Sequence, residues 1–237
     1  VVVGSGPSGL FCALTLARAG ESVVLLERGK KIEEREKDVE NLLKNGVFNK
    51  NSNIQFGEGG AGTFSDGKLN TGTNSPHIKT VLETFYRNGA PEDILFDAKP
   101  HIGTDCLKKV IVNMRHELEN LGAKVLFESK FISFEKSANT IKVYYEGNGE
   151  LQKFECKNLV LALGYSARET FLTLYEMGLE LKQKRFSVGY RIEHKQTDIN
   201  MSQFGKENDK FLPPADYKLF HHLENGRTVY TFCMCPG

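Results

Sequence analysis

Residues 1–27 open as Val1-Val2-Val3-Gly4-Ser5-Gly6-Pro7-Ser8-Gly9 and close as Val23-Val24-Leu25-Leu26-Glu27. Between them Leu10, Ala13, Leu14 and Ala17 recur at helical spacing, and Gly20 supplies a left-handed stop. Strand, G-x-G-x-x-G, helix, strand and terminal acid stand in the order that a dinucleotide-binding βαβ unit requires. Each glycine has a task. Gly4 permits the tight turn, Gly6 lets the backbone approach a pyrophosphate, and Gly9 lets the helix pack on the strand. The helix N-terminus offers unpaired N–H groups and a positive dipole end, and Pro7 and Ser8 bring no bulk or charge against an anion. A carboxylate at Glu27 can accept from ribose hydroxyls but would repel a 2′-phosphate, so the reading is FAD or NAD, not NADP.

The other 210 residues are organised around this unit. The chain of 237 residues has a net charge of +1, which gives no basic excess to draw nucleic acid or an anionic membrane as partner. Its apolar runs are strand-sized, too short to span a bilayer, and nothing resembles a secretory signal. Five scattered cysteines argue against a disulfide framework and for a reducing compartment, with the cytoplasm as default. The short first strand and the bare C-terminal Cys233-Met234-Cys235-Pro236-Gly237 lead to the expectation of a chain cut from a longer protein at both ends.

Further helices are predicted over about 30–44, 78–86, 104–121 and 168–177; the first reads as a charged, solvated surface helix. Residues 49–75 lose periodicity and fill with Gly, Asn, Ser and Thr, an uncommon length for a loop without function. Within it, Gly57, Gly59, Gly60, Gly62 and Gly67 would let backbone lie close to a flat or phosphorylated ligand; an ordinary surface loop remains the alternative. Four strand-like runs, 124–127, 131–134, 141–145 and 151–156, read as an antiparallel meander with a turn at Gly147-Asn148-Gly149. The apolar run 159–163 reads as a buried parallel strand returning to the first sheet, with small residues at its carboxyl end where such sheets bind ligands. After Gly178 the pattern turns β-rich, with 186–192 and 228–234 as the clearest strands.

Several residues carry two readings. Cys233-x-Cys235 is either a thiol pair able to exchange electrons or two small apolar strand residues. His101 bonds either substrate or its own loop, and Arg191, Glu193 and His194 line either a substrate face or an exposed strand. No Cys/His set has zinc spacing, and no catalytic triad or paired-carboxylate arrangement can be assembled.

GSGPSG with Glu27, GGAGTFSDGKLN (59–70), PHIGTD (100–105), LALGYSARETF (161–171), VGYRIEH (188–194) and YTFCMCPG (230–237) together resemble the uncharacterised FAD-dependent dehydrogenase family of the two-dinucleotide-binding flavoproteins. The resemblance implies an α/β Rossmann-like FAD/NAD(P)-binding domain with an inserted antiparallel meander at 1–177, and the start of a β-rich substrate domain at 178–237. It implies FAD, held by Gly4, Ser5, Gly6, Pro7, Ser8 and Gly9 at the pyrophosphate and by Glu27 and Arg28 beside the adenosine ribose. By the same likeness Gly59, Gly60, Ala61, Gly62 and Thr63 lie near the pyrophosphate or flavin. The Lys130-Phe131 backbone would meet the adenine, and Ala162, Leu163 and Gly164 would line the cofactor. The implied activity is hydride transfer between flavin and a small organic substrate or nicotinamide nucleotide. An NAD-dependent dehydrogenase and a non-catalytic FAD-binding structural or sensor protein are the alternatives. The family's C-terminal Gly-Asp is missing, which the expected truncation would explain.

Overall fold

The computed structural model describes every residue except Asp66, Asn70, Gly72, Lys99, Cys233, Cys235, Pro236 and Gly237. It divides into two units, residues 1–181 and 182–237.

In the first unit, β1 (Val2–Val3), β2 (Val24–Leu26), β3 (Lys124–Leu126) and β7 (Val160–Leu161) form a parallel sheet in the order β3-β2-β1-β7. Successive residues of β1 and β2 point to opposite faces, and both faces are covered. Val2 and Leu25 join α1 (Pro7–Arg18), α3 (His77–Arg87) and α4 (Thr104–Asn120) in one core, through Leu10, Leu14, Phe85, Val110, Met114 and Leu118. Val3 and Leu26 turn to the other face, against Phe131, Val143 and Tyr145 of a three-stranded antiparallel sheet and Leu174 of α5 (Arg168–Glu176). That sheet comprises β4 (Ser129–Lys136), β5 (Ile141–Gly147) and β6 (Glu150–Cys156). Asn148 and Gly149, both at positive φ (53° and 77°), make the β5–β6 turn, the backbone that a two-residue hairpin loop needs to match strand twist. α2 (Ile32–Asn45) follows β2 and ends at Gly46 in the left-handed conformation.

Two assignments from sequence are corrected. The run 124–127 belongs to the parallel sheet and not to the meander: it follows α4 and takes the open edge of β2, with the Lys124 amide donating to the Val23 carbonyl at 2.9 Å. In the second unit, residues 186–192 form no strand; Phe186, Val188, Tyr190 and Ile192 alternate as a strand would but stand 72–99% exposed. Without a neighbouring strand, β-forming side chains have no pleated surface to pack on. That unit instead contains α6 (Gln196–Phe204), which the sequence reading missed, and a hairpin of β8 (Phe220–His222) and β9 (Thr228–Tyr230). The buried Asn200 organises it, accepting from the Gln196 amide and the Ala215 N–H and donating to the Glu207 carbonyl. Among the described residues no helix is long and apolar enough to cross a membrane.

Candidate cofactor site

The carboxyl ends of β1, β2 and β7 meet at the point where the chain turns to one side of β1 for β2 and to the other for β7, the position at which open α/β sheets take ligands. The phosphate turn occupies it. Gly4 sits at φ +98°, and a Cβ there would stand 2.4 Å from the Ala162 carbonyl oxygen; one at Gly9 would stand 1.8 Å from the Gly4 carbonyl oxygen. These contacts pin turn, helix and β7 together at backbone distance. Gly6 has freer surroundings, since a Cβ would meet only the Gly60 Cα at 3.9 Å. α1 starts at Pro7 with no acidic residue in its first turn, so its amide end carries no competing negative charge.

The glycine loop folds back onto this turn. The Gly59 amide donates to the Ser5 carbonyl at 2.9 Å, and residues 60–64 form a short 3-10 turn. Gly60 lies so close to Gly6 that a Cβ on it would stand 2.9 Å from the Gly6 Cα. Ser52, Asn53, Glu58 and Thr63 are buried, so this is a packed segment.

Glu27 ties the two loops together. It is 5% exposed, and its carboxylate receives four donors: the Ser5 amide and hydroxyl at 2.8 Å each on Oε2, and the Gly29 and Gly57 amides at 2.9 and 3.1 Å on Oε1. A ribose hydroxyl would have to join or displace one of them. Beside it, Arg28 donates to Asn51, pairs with Glu169 at 3.4 Å and lies over the Phe56 ring. Lys130 pairs with the same Glu169 at 2.8 Å, and these cations hold the Glu169 carboxyl below its ordinary range, the Lys130 bond being the larger cause. β4 is an edge strand, joined to the end of β2 where the Ser129 amide donates to the Glu27 carbonyl, and this places Lys130 and Phe131 next to Glu27 and Arg28. At β7, Ala162 abuts Gly4, Leu163 packs in the second core, and Gly164 is at φ +68° with open space around it, as Gly62 also has.

The sequence reading missed three charged residues beneath the loop. Arg35, on the helix taken for a solvated surface element, is fully buried. Its guanidinium donates to the carbonyls of Asn53, Ile54, Glu58 and Gly60 at 2.5–2.9 Å and to the Thr63 hydroxyl at 3.3 Å. Glu58 accepts from the Ile32 amide at 2.9 Å, which caps α2, and from Arg115 at 2.8 Å; Arg115 also holds Glu33 at 2.7 Å. Burial raises the Glu58 carboxyl, with the Ile32 amide and Arg115 opposing. Burial likewise lowers Arg35 to about 10 against the attraction of Glu27 and Glu58, so it remains charged at neutral pH. One signal was legible: Ile32, Arg35 and Val39 share a helix face, putting a charge in the buried stripe.

Other sequence candidates lie elsewhere. His101 pairs with Lys68 in an isolated bridge and is exposed. Arg191, Glu193 and His194 belong to the second unit, where His194 bonds the Tyr217 hydroxyl. Cys233 and Cys235 are outside the described residues. Among the described residues no three His, Cys, Asp or Glu gather as a metal site. A hollow lined by Arg18, Arg87, His116 and Glu117 holds none of the residues above, and its Arg18 is already bidentate on Glu117.

A bare phosphate turn, a helix N-terminus free of acids and a close-packed glycine loop fit the diphosphate of a dinucleotide, and define a Rossmann-like dinucleotide-binding fold. Comparison with known proteins agrees. Residues 2–40 match the model for an NAD(P)-binding Rossmann-like domain, and residues 185–237 match that for an FAD-dependent protein, C-terminal domain-like. These two matched segments carry the chain's likeness to nucleotide-binding and FAD-dependent proteins. It is 44% identical over 241 aligned residues to an uncharacterized protein of Clostridium beijerinckii, covering 100% of this chain and 44% of that protein. It is 27% identical to the ribosomal RNA dihydrouridine synthase of Haemophilus influenzae, covering 69% of this chain and 39% of that protein. The chain thus spans less than half the length of these curated relatives. The solved structure of BexE aligns over 99% of this chain and 43% of its own at 15% identity, with a TM-score of 0.48.

Proposed function

We propose that the protein is an FAD-dependent oxidoreductase acting as a dehydrogenase on a small organic substrate or a nicotinamide nucleotide. The observation that carries this reading is the glycine loop closed onto the phosphate turn, Gly60 on Gly6, in a chain whose C-terminal segment matches FAD-dependent proteins. FAD, when bound, supplies two-electron chemistry at its ring system. The chain's part is to bind and orient. The first-turn amides of α1 and the backbone of Gly4–Gly9 hold the diphosphate, while Gly59–Thr63 and Ala162–Gly164 border the remainder of the cofactor. Glu27, Arg28 and the β4 edge at Lys130-Phe131 receive the adenosine half. The domain reading, with an FAD-binding part to residue 177 and substrate-domain residues from 178, belongs to the same proposal. So does a cytoplasmic location, which rests on the scattered cysteines.

The Haemophilus relative suggests a second substrate class, a base within ribosomal RNA; the chain's net charge of +1 lacks the basic footprint such a partner draws. The test is the visible spectrum of the full-length protein purified without added cofactor, with identification of the ligand released on denaturation. A flavin spectrum and released FAD are expected. A colourless protein that gains no flavin from added FAD refutes the reading, and bound NAD in its place moves the assignment to a nicotinamide dehydrogenase.

A further inference from the structure

We propose that Arg35 is the positioning residue of the cofactor site: its buried guanidinium draws four loop carbonyls inward and so holds the glycine loop in the shape that closes onto the phosphate turn. The cofactor half of this inference rests on the FAD reading above.

The argument starts from hydrogen bonding. The glycines of this segment bring no side-chain order and lose much conformational entropy when fixed, and the local bonds of Asn53 and Thr63 reach only their near neighbours, so a longer-range group must join residues 53–63. Their inward carbonyls have lost water and need donors. Arg35 gives its planar fork to Asn53, Ile54, Glu58 and Gly60 at once. Only guanidinium spreads five donors in a fixed plane; an ammonium at the same place offers three donors from one point. The position is also sterically reserved for this side chain: Gly57 stands so close that a Cβ there would lie 2.4 Å from Arg35 Cδ. Above, Phe64 receives the cation on its ring face at 4.9 Å.

With the carbonyls committed to Arg35, the loop amides serve the neighbouring elements. Gly57 donates to Glu27, Glu58 to the Lys30 carbonyl and Gly59 to the Ser5 carbonyl. Arg35 makes no hydrogen bond to the phosphate turn, and it reaches the cofactor-facing segment from beneath, through the Gly60 carbonyl and the Thr63 hydroxyl. It acts through the loop.

The test uses full-length protein carrying Arg35→Lys or Arg35→Met, with Leu118→Ala as control. Leu118 is a fully buried apolar residue of α4 in the first core, so its truncation destabilises the fold while leaving every donor to the loop carbonyls in place. Two readouts are taken below the unfolding range: amide hydrogen exchange of residues 53–63, and the dissociation constant for FAD from flavin fluorescence. Arg35→Lys preserves the buried charge facing Glu27 and Glu58 and is the variant expected to fold. It should exchange the Gly57, Glu58 and Gly59 amides at least about tenfold faster, and bind FAD at least about tenfold more weakly, the effect of one lost charge-assisted bond. Arg35→Met should be worse on both. Leu118→Ala should leave loop exchange and FAD affinity within about twofold while lowering the melting temperature. Equal loop exchange in Arg35→Lys and wild type, or equal effects of Arg35→Lys and Leu118→Ala, would overturn the proposal. Wild-type protein that binds no FAD would instead overturn the cofactor reading, and loop exchange would still decide whether Arg35 holds the loop.

Discussion

Replacing Glu27 by glutamine in the cofactor-free protein tests what this carboxylate does before any ligand arrives. Four donors fill its two oxygens, and Ser5, which supplies two of them, is itself fully buried. A glutamine amide has one accepting oxygen and one donating nitrogen. Its better orientation turns the oxygen to Gly29 and Gly57 and the NH2 to Ser5, whose hydroxyl can rotate to accept but whose amide cannot. One buried N–H is then orphaned, at about 1–3 kcal/mol, and the surviving bonds lose their charge assistance. The buried Arg35 also loses one of the two carboxylates that offset its desolvation. The sum is about 3 kcal/mol, or about 6–12 °C in melting temperature at about 2–4 °C per kcal/mol for a domain of this size. Thermal and urea unfolding of the two proteins without FAD would read it directly. A carboxylate that faced outward, waiting for ribose, would cost nothing to neutralise, so a midpoint shifted by less than about 0.5 kcal/mol refutes the reasoning.

Other substitutions separate strain from site geometry. Gly60→Ala combines φ +68° with a Cβ 2.9 Å from the Gly6 backbone, so it should destabilise by about 1–3 kcal/mol and weaken FAD binding in titration. Gly20→Ala, at φ +84° with nothing within 4 Å, should cost only the strain of about 1–2 kcal/mol and leave FAD affinity unchanged. Glu117 is held below its ordinary value of 4.5 by Arg18 first, and by Asn88. A depressed acid contributes stability that is complete above the unfolded value and disappears as pH falls through the folded one, so urea midpoints between pH 6 and 3 should drop less steeply in Glu117→Gln than in wild type.

The parts of the fold read correctly from sequence are those whose determinants are local. Glycine spacing, helical periodicity and the terminal acid of the βαβ unit all lie within 27 residues, and the Asn148-Gly149 turn specifies its own hairpin. The errors came where partners decide. Lys124–Leu126 has the length and composition of a meander strand, and only the vacant edge of β2 makes it a parallel one. Phe186–Ile192 has strand propensity, but its backbone meets no ladder among the described residues. Arg35 was hidden by company. Glu33, Glu34, Arg35, Glu36 and Lys37 read as one solvated run, and only burial distinguishes the member that faces inward.

The charges under the loop account for how a glycine-rich cradle can be rigid. Close approach to a ligand needs glycine, because any Cβ at Gly60 or Gly4 would collide with backbone, yet glycine alone would leave the segment disordered. An apolar core cannot supply the order, since carbonyls turned inward would go unpaired. A buried guanidinium can, provided its own charge is matched: Glu27 faces it from the strand end and Glu58 from the loop, and Arg115 with the α2 terminus satisfies Glu58 in turn. Breaking any one of these links leaves an uncompensated charge in the interior, which costs far more than the pair is worth against an apolar substitute. The network therefore specifies one loop conformation more than it adds net stability, and a site that must be formed before the ligand enters needs that specificity.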